Sequence, residues 1–175
     1  MTDDPVRIRP ERSGDEEAIS ALHTDAFGTE AEARLVERLR AAEVPRISLV
    51  AVDEADGLVG HILFTPVTVA AEGTPREGAM GLGPMAVRPA LQRQGIGGRL
   101  VEAGLGACRA RGVPAVFVLG HRAYYPRFGF TEAVPRGLQF GGAQFDPYFF
   151  VLELTPGALD GWAGRVRYHP AFDAA

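Results

Sequence analysis

The chain has 175 residues, 46% of them hydrophobic and 23% charged, which is the size and composition of one ordinary globular domain and not of a disordered chain. Its 18 basic against 22 acidic side chains give a net charge of −4, which argues against bulk affinity for nucleic acid. All 18 basic residues are arginine and the chain contains neither Lys nor Asn, so a lysine-dependent phosphate loop, Schiff-base chemistry, a Ser-Lys dyad and N-glycosylation are excluded.

Val6-Arg7-Ile8-Arg9-Pro10 alternates and reads as a short strand stopped by proline. Ser13, with Glu16 three residues on, predicts a capping box opening a helix whose less polar face holds Ile19, Leu22, His23 and Ala26. Residues 30–42 read as a second helix with Ala31, Leu35 and Leu39 on one face. Residues 47–52 and 58–69, separated by a turn, read as an antiparallel hairpin interrupted at Pro66, followed by a polar loop over 71–77.

Residues 79–87 form a further strand candidate, but with Gly81, Gly83 and Pro84 they are poor material for a central strand, so something unusual must satisfy or expose that backbone. A helix over 97–111, ended by Gly112 and Pro114, places Leu100, Val101, Leu105 and Cys108 on one face. An apolar strand follows at 115–119, then a short helix or turn at 123–128. The aromatic strand at 148–154 is expected to pair near Thr131 or with 138–140. The segment from 155 onward reads as a tail anchored by Trp162, Tyr168 and Phe172. The class is α+β with a mixed sheet.

Residues 1–5 are acidic with no apolar core, and no apolar run approaches a membrane span, so a cytoplasmic protein with no signal and no membrane partner is expected. Cys108 is the only cysteine, which excludes an intramolecular disulfide and a multi-cysteine zinc site. His23, His61, His121 and His169 lie far apart without metal-ligand spacing, so no metal is expected.

The informative stretch runs from Met85 to Leu100. A strand ends at Arg88-Pro89, and Gln92, Arg93, Gln94, Gly95, Ile96, Gly97, Gly98 and Arg99 carry the chain through a glycine-rich loop into a helix. Backbone amides converging at a helix N-terminus, with Arg88, Arg93 and Arg99 nearby, describe a diphosphate site. The dinucleotide pattern G-x-G-x-x-G fails, because Leu100 stands where its last glycine belongs.

Gln92-x-x-Gly95-x-Gly97, preceded by Met85-Ala86-Val87-Arg88-Pro89, instead resembles the acyl-CoA-binding motif of the GNAT (GCN-five-related N-acetyltransferase) superfamily. Tyr125-Pro126-Arg127-Phe128-Gly129-Phe130 resembles its second marker, one helix and one strand later. With Gly83-Pro84, the run 119–125 and the run 149–159, the chain looks like the YhbS-like bacterial subgroup over nearly its whole length.

The resemblance implies one domain over 1–175: an N-terminal part at 1–70, an acyl-CoA core at 79–130, and C-terminal strands and tail at 131–175. It implies a mixed, mostly antiparallel sheet of about seven strands with helices on both faces, splayed at the acyl-CoA cleft. It implies transfer of an acetyl group from acetyl-CoA to a primary amine on a small molecule or peptide. Met85, Ala86 and Val87 would meet the acyl group, residues 92–99 the pyrophosphate, and Tyr125 the sulfur, as acid or positioner.

The family's Asn before that Tyr is missing, and the Gly-rich strand carries no carboxylate. His121 ranks first as base, ahead of Glu30, Glu32 and His61, and a water chain to solvent is an alternative. A non-catalytic acyl-CoA-binding module on the same fold stays open, as does a homodimer. Cys108 reads as a core side chain, and Asp146 and Tyr148 flank the strand where an acceptor is expected. Without Lys, the Met1 α-amino group is the one internal amine that self-acylation could reach.

Overall fold

The structure is a computed structural model that describes residues 5–70 and 73–173. The expected Met1 target and the first part of the 71–77 loop lie outside these. Strands β1 (Arg7–Pro10), β2 (Ile47–Val52), β3 (Leu58–Pro66), β5 (Met80–Val87), β6 (Ala115–Leu119), β9 (Phe149–Glu153) and β7 (Thr131–Glu132) form a seven-stranded sheet in that spatial order. Every neighbouring pair is antiparallel except β5 and β6, which run parallel.

Helix α3 (Ile96–Ala110) covers one face, with Leu100, Val101, Leu105 and Cys108 packed on Ile62, Phe64 and Leu82. Helices α1 (Glu16–Phe27) and α2 (Ala31–Ala41) cover the other, where Ile19, Val36 and Leu39 meet Val50, Val52 and Leu63. β2 and β3 are therefore buried on both sides, which is why they read as apolar runs and not as alternating strands.

Several local expectations are corrected. Ser13 does not cap α1. Asp15 occupies the N-cap, accepting from the Arg12 amide (2.7 Å) and from both terminal nitrogens of Arg9 (2.7 and 3.1 Å), while Glu16 folds back onto the Gly14 amide. A bidentate guanidinium is a stronger partner for a cap carboxylate than a hydroxyl is for an amide, and Arg9 holds the Asp15 carboxyl below its usual range.

In α2 the buried stripe is Ala33, Val36 and Leu39, not Ala31, Leu35 and Leu39. The helix packs on two neighbours at once, α1 and the C-terminal segment, and Leu35, Ala171 and Phe172 are only partly buried there. Residues 138–140 do not pair with β9. β8 (Leu138–Gln139) joins β10 (Gly164–Arg167), inside what reads as tail, and β4 (Thr68–Ala70) in a separate three-stranded sheet. That sheet closes over Phe117, Phe149 and Val151. The Tyr168 hydroxyl donates to the Phe117 carbonyl (3.3 Å), so the expected anchor holds.

Candidate active site

The glycines and proline of β5 find their explanation in its pairing. β5 meets β6 only through Met80, Gly81 and Leu82, opposite Val116, Phe117 and Val118. Beyond that rung the two strands part. On the other side the register with β3 slips between Ile62, opposite Met85, and Phe64, opposite Leu82. Gly83 and Pro84 fall in that slip, where a missing amide donor breaks no ladder bond. The residues that follow, Met85, Ala86 and Val87, border the opening with their β6-side backbone unpaired in the sheet.

A cavity of about 620 Å³ lies at this opening. Of the residues expected from sequence, Met85, Ala86, Val87, Gln92, Arg93, Gly95, Ile96, Gly97 and Gly98 line it; Gln94, Arg99 and Tyr125 are not among its lining residues. The loop geometry follows from two left-handed positions, Arg93 (φ 63°) and Gly95 (φ 88°), which reverse the chain within three residues. Gly95 is the N-cap of α3, and the Arg99 amide donates to its carbonyl (3.1 Å). The amides of Ile96, Gly97 and Gly98 precede that first helical bond and stand outside the helix ladder. Together with the turn they form a concave set of donors at the positive end of the helix dipole.

Gln92 secures the loop, its side-chain amide donating to the Val87 carbonyl (3.1 Å). Arg88 does not join the cationic rim. Its guanidinium donates to the Leu58 carbonyl (2.8 Å) and its amide to Val59 (2.8 Å), pinning the end of β5 to β3.

The far wall comes from the 3₁₀ turn Tyr125–Phe128. Tyr124, Arg127 and Phe128 line the cavity, with the Arg127 guanidinium 4.6 Å from the Tyr124 ring centre. Tyr125 stands behind Tyr124, edge-on at 5.1 Å, and against Phe130 at 5.7 Å. A Cβ added at Gly120 would stand 2.3 Å from the Tyr125 ring, so the glycine after β6 makes room for this tyrosine. Burial, reinforced by neighbouring Tyr124, pushes the Tyr125 phenol up to about 12. Ala26 and Phe27, at the end of α1, complete the cavity. Sequence reasoning missed Tyr124, Arg127, Phe128 and this α1 wall. The turn residues share a marker with Tyr125 and could have been found from it; nothing local marks Phe27.

His121 lines a separate cavity of about 280 Å³ with Leu119, Gly120, Phe145 and Tyr148. The two cavities share a partition: Tyr124 faces the first, and Tyr125 lies on the Gly120 that lines the second. Asp146 is not among the residues lining either one.

His61 is fully buried and belongs to a chain of side chains. Arg40 donates to Glu11 (2.6 Å), the Ser48 hydroxyl donates to the other Glu11 oxygen, Ser48 Oγ meets His61 Nε2 (2.8 Å), and His61 Nδ1 meets His23 Nε2 (2.8 Å). Because the single Ser48 proton goes to Glu11, Ser48 accepts from His61 Nε2–H, and His61 Nδ1 then accepts from His23 Nε2–H. His23 Nδ1 ends the chain with no hydrogen-bond partner among the described residues. Burial lowers both imidazoles, His23 to about 4. Glu30 is exposed at the N-cap of α2, and Glu32, half-buried, lies in its first turn. Cys108 is buried, its thiol pushed up to about 12 by desolvation. Among the described residues no His, Cys, Asp and Glu side chains gather as metal ligands would, and no helix is long and apolar enough to cross a membrane.

A mixed sheet that parts between two parallel strands, with a glycine-rich helix N-terminus at the mouth, is the framework of an acetyltransferase of the GNAT type. The chain belongs to that family: the acetyltransferase (GNAT) domain matches residues 7–133. It is 36% identical over 166 residues to the N-acetyltransferase YhbS of Escherichia coli K12, itself uncharacterized, covering 95% of this chain and 98% of that one. It is 44% identical over 114 residues to the likewise uncharacterized N-acetyltransferase YjhQ of the same strain, covering 64% and 62% of the two chains. The crystal structure of E. coli YhbS in complex with CoA superposes with a TM-score of 0.91 at 35% identity, over 99% of this chain and 96% of that one. A GNAT acetyltransferase from Brucella melitensis in complex with acetyl-CoA gives 0.79 at 36% identity, over 96% and 98%.

Proposed function

We propose that the chain transfers an acetyl group from acetyl-CoA to a primary amine by direct attack in a ternary complex. The observation that carries this reading is the 620 Å³ cavity where β5 and β6 part, lined on one side by the amides that open α3. The relatives crystallised with CoA and acetyl-CoA, which align along nearly the whole chain, support it.

In this reading the pyrophosphate lies against the amides of Ile96, Gly97 and Gly98, which stand outside the helix ladder, and Arg93 and Arg127 supply charge at the rim. On the side of β5 turned away from β3, the amides of the stretch from Met85 to Val87 offer donors where negative charge develops on the thioester oxygen. The amine nitrogen bonds to the carbonyl carbon and the carbon–sulfur bond breaks. The sulfur keeps the electron pair and takes up one proton; an ammonium substrate releases a second to water. Tyr125, standing behind Tyr124 at the cavity wall, positions the sulfur or delivers its proton. With the Tyr125 phenol near 12 against a thiol of about 8.5, the protonated phenol is the resting form and positioning is the larger share. His121 is the base nearest this partition.

Calorimetry with CoA and acetyl-CoA is the first test; an absence of binding sinks the proposal. Incubation with acetyl-CoA and an amine panel then releases free thiol, and Tyr125→Phe slows it. A second reading draws on one observation: no carboxylate is among the lining residues of the cavity. A CoA-binding module without turnover would bind as tightly and release no thiol with any amine.

A further inference from the structure

The chemistry around the two cavities narrows the acceptor, provided that acyl transfer takes place where β5 and β6 part. Among the described residues two large apolar side chains stand exposed, Phe27 (43%) and Tyr148 (45%). Each rims one of the two cavities: Phe27 the larger, beside β5, and Tyr148 the smaller, at the end of β6. A single exposed ring is ordinary on a protein surface; what sets these two apart is that each borders a cavity.

The smaller cavity has Leu119, Phe145 and Tyr148 as walls and His121 as its one imidazole. Phe145 is itself backed edge-on by Phe140 at 5.6 Å, and the Gly120 amide donates to the Tyr148 carbonyl (2.8 Å), so these walls are fixed to the sheet. No Asp or Glu lines either cavity, and the charges in the larger one are Arg93 and Arg127. Four acidic side chains, Glu16, Glu17, Asp25 and Glu37, gather with Arg40 along a groove between α1 and α2 instead.

We propose that the acceptor is a small primary amine carried on an aromatic or other uncharged apolar body, seated between His121, Phe145 and Tyr148, and not a polyamine or another polycation. A seat walled by Leu119, Phe145 and Tyr148 offers an ammonium ion no carboxylate; desolvation there disfavours the cation and raises the fraction of neutral, nucleophilic amine. The apolar body then supplies the binding that charge does not. A second or third ammonium group on the same molecule would meet desolvation with no carboxylate in the seat to pair with.

Phenethylamine and spermidine are the opposing probes, each offered with acetyl-CoA while thiol release is followed. Phenethylamine is expected to show at least about tenfold higher kcat/KM. Tyr148→Ala should raise its KM about tenfold with a smaller change in kcat, leaving the calorimetric Kd for acetyl-CoA unchanged. Preference for spermidine, or a KM indifferent to Tyr148→Ala, overturns the proposal. If neither amine is turned over, saturation-transfer NMR of phenethylamine on the CoA-saturated protein decides. A ring signal lost in Tyr148→Ala supports the assignment, and no signal overturns it. Failure to bind acetyl-CoA at all would instead strike the transferase reading, and calorimetry separates that outcome from the others.

Discussion

At the residue scale, the tyrosine pair depends on a residue with no side chain. Gly120 leaves the space that the Tyr125 ring fills, and Tyr125 in turn backs Tyr124 at the cavity wall. Gly120→Ala places a methyl group 2.3 Å from that ring, so the ring must move. Turnover is expected to fall about 10- to 100-fold, as in Tyr125→Phe, if the phenol acts on the sulfur. The Kd for CoA, set by the amides of α3, should change little. Steady-state kinetics beside calorimetry check this, and an equal loss of binding and turnover would assign Gly120 a purely structural part. Tyr125 was legible because its spacing to Gly129 and Phe130 is a marker. The partition it forms was not, because no spacing reports that a ring lies on a glycine five residues back.

At the element scale, α1 is fixed to the sheet through imidazoles. His23 on α1 and His61 on β3 are both fully buried and hydrogen-bonded to each other, and the chain runs on to Ser48 on β2. Above pH 6.5 both rings are neutral in the folded and the unfolded chain, so they add no pH dependence there. As the pH falls below 6.5 the unfolded chain binds protons that the folded one refuses, until His23 itself protonates near 4. Stability should therefore decline from pH 6.5 toward 4, each ring contributing up to about 1.4 kcal/mol per pH unit. Asp15, whose carboxyl Arg9 holds low, adds a further loss only below about 4. Urea unfolding across this range should show the decline, and the double replacement His23→Leu with His61→Leu should flatten it above pH 4.

The same scale shows where sequence reading stops. β2, β6 and α3 are recovered within about one residue, because compact apolar runs mark the two strands and Gly95 and Gly112 bound the periodic helix. β10 is not: Gly164-Arg165-Val166-Arg167 buries one side chain, Val166, and four residues with one buried position carry no period. Its partners β4 and β8 are three and two residues long, so the second sheet exists only through contacts distant in sequence.

At the scale of the whole molecule, the charge is unevenly placed. A chain of net charge −4 carries arginines at its main cavity and keeps four acidic side chains in the α1–α2 groove. CoA, with its phosphates, is expected to bind against the overall sign, through local attraction. Raising NaCl from about 50 to 500 mM should weaken CoA binding severalfold, since the Debye length shrinks below the reach of the rim charges. Arg93→Ala should reduce that salt sensitivity. Affinity independent of salt would mean that the backbone amides alone hold the phosphates.

Helix α3 lies close against the sheet at Gly104, where an added Cβ would stand 2.2 Å from the Phe64 ring. Gly104 lies eight residues from the first residue of the helix, about 12 Å along its axis. The helix is thus a lever with its fulcrum in the core and its working end at the cavity mouth. A methyl group at the fulcrum, in Gly104→Ala, lifts the rod where it rests, and the amides of Ile96 to Gly98 move by a comparable or larger amount. The variant should lose CoA affinity without a single altered residue at the mouth. How well the phosphate end is aimed is thereby decided in the dry interior, by the thickness of one benzene ring.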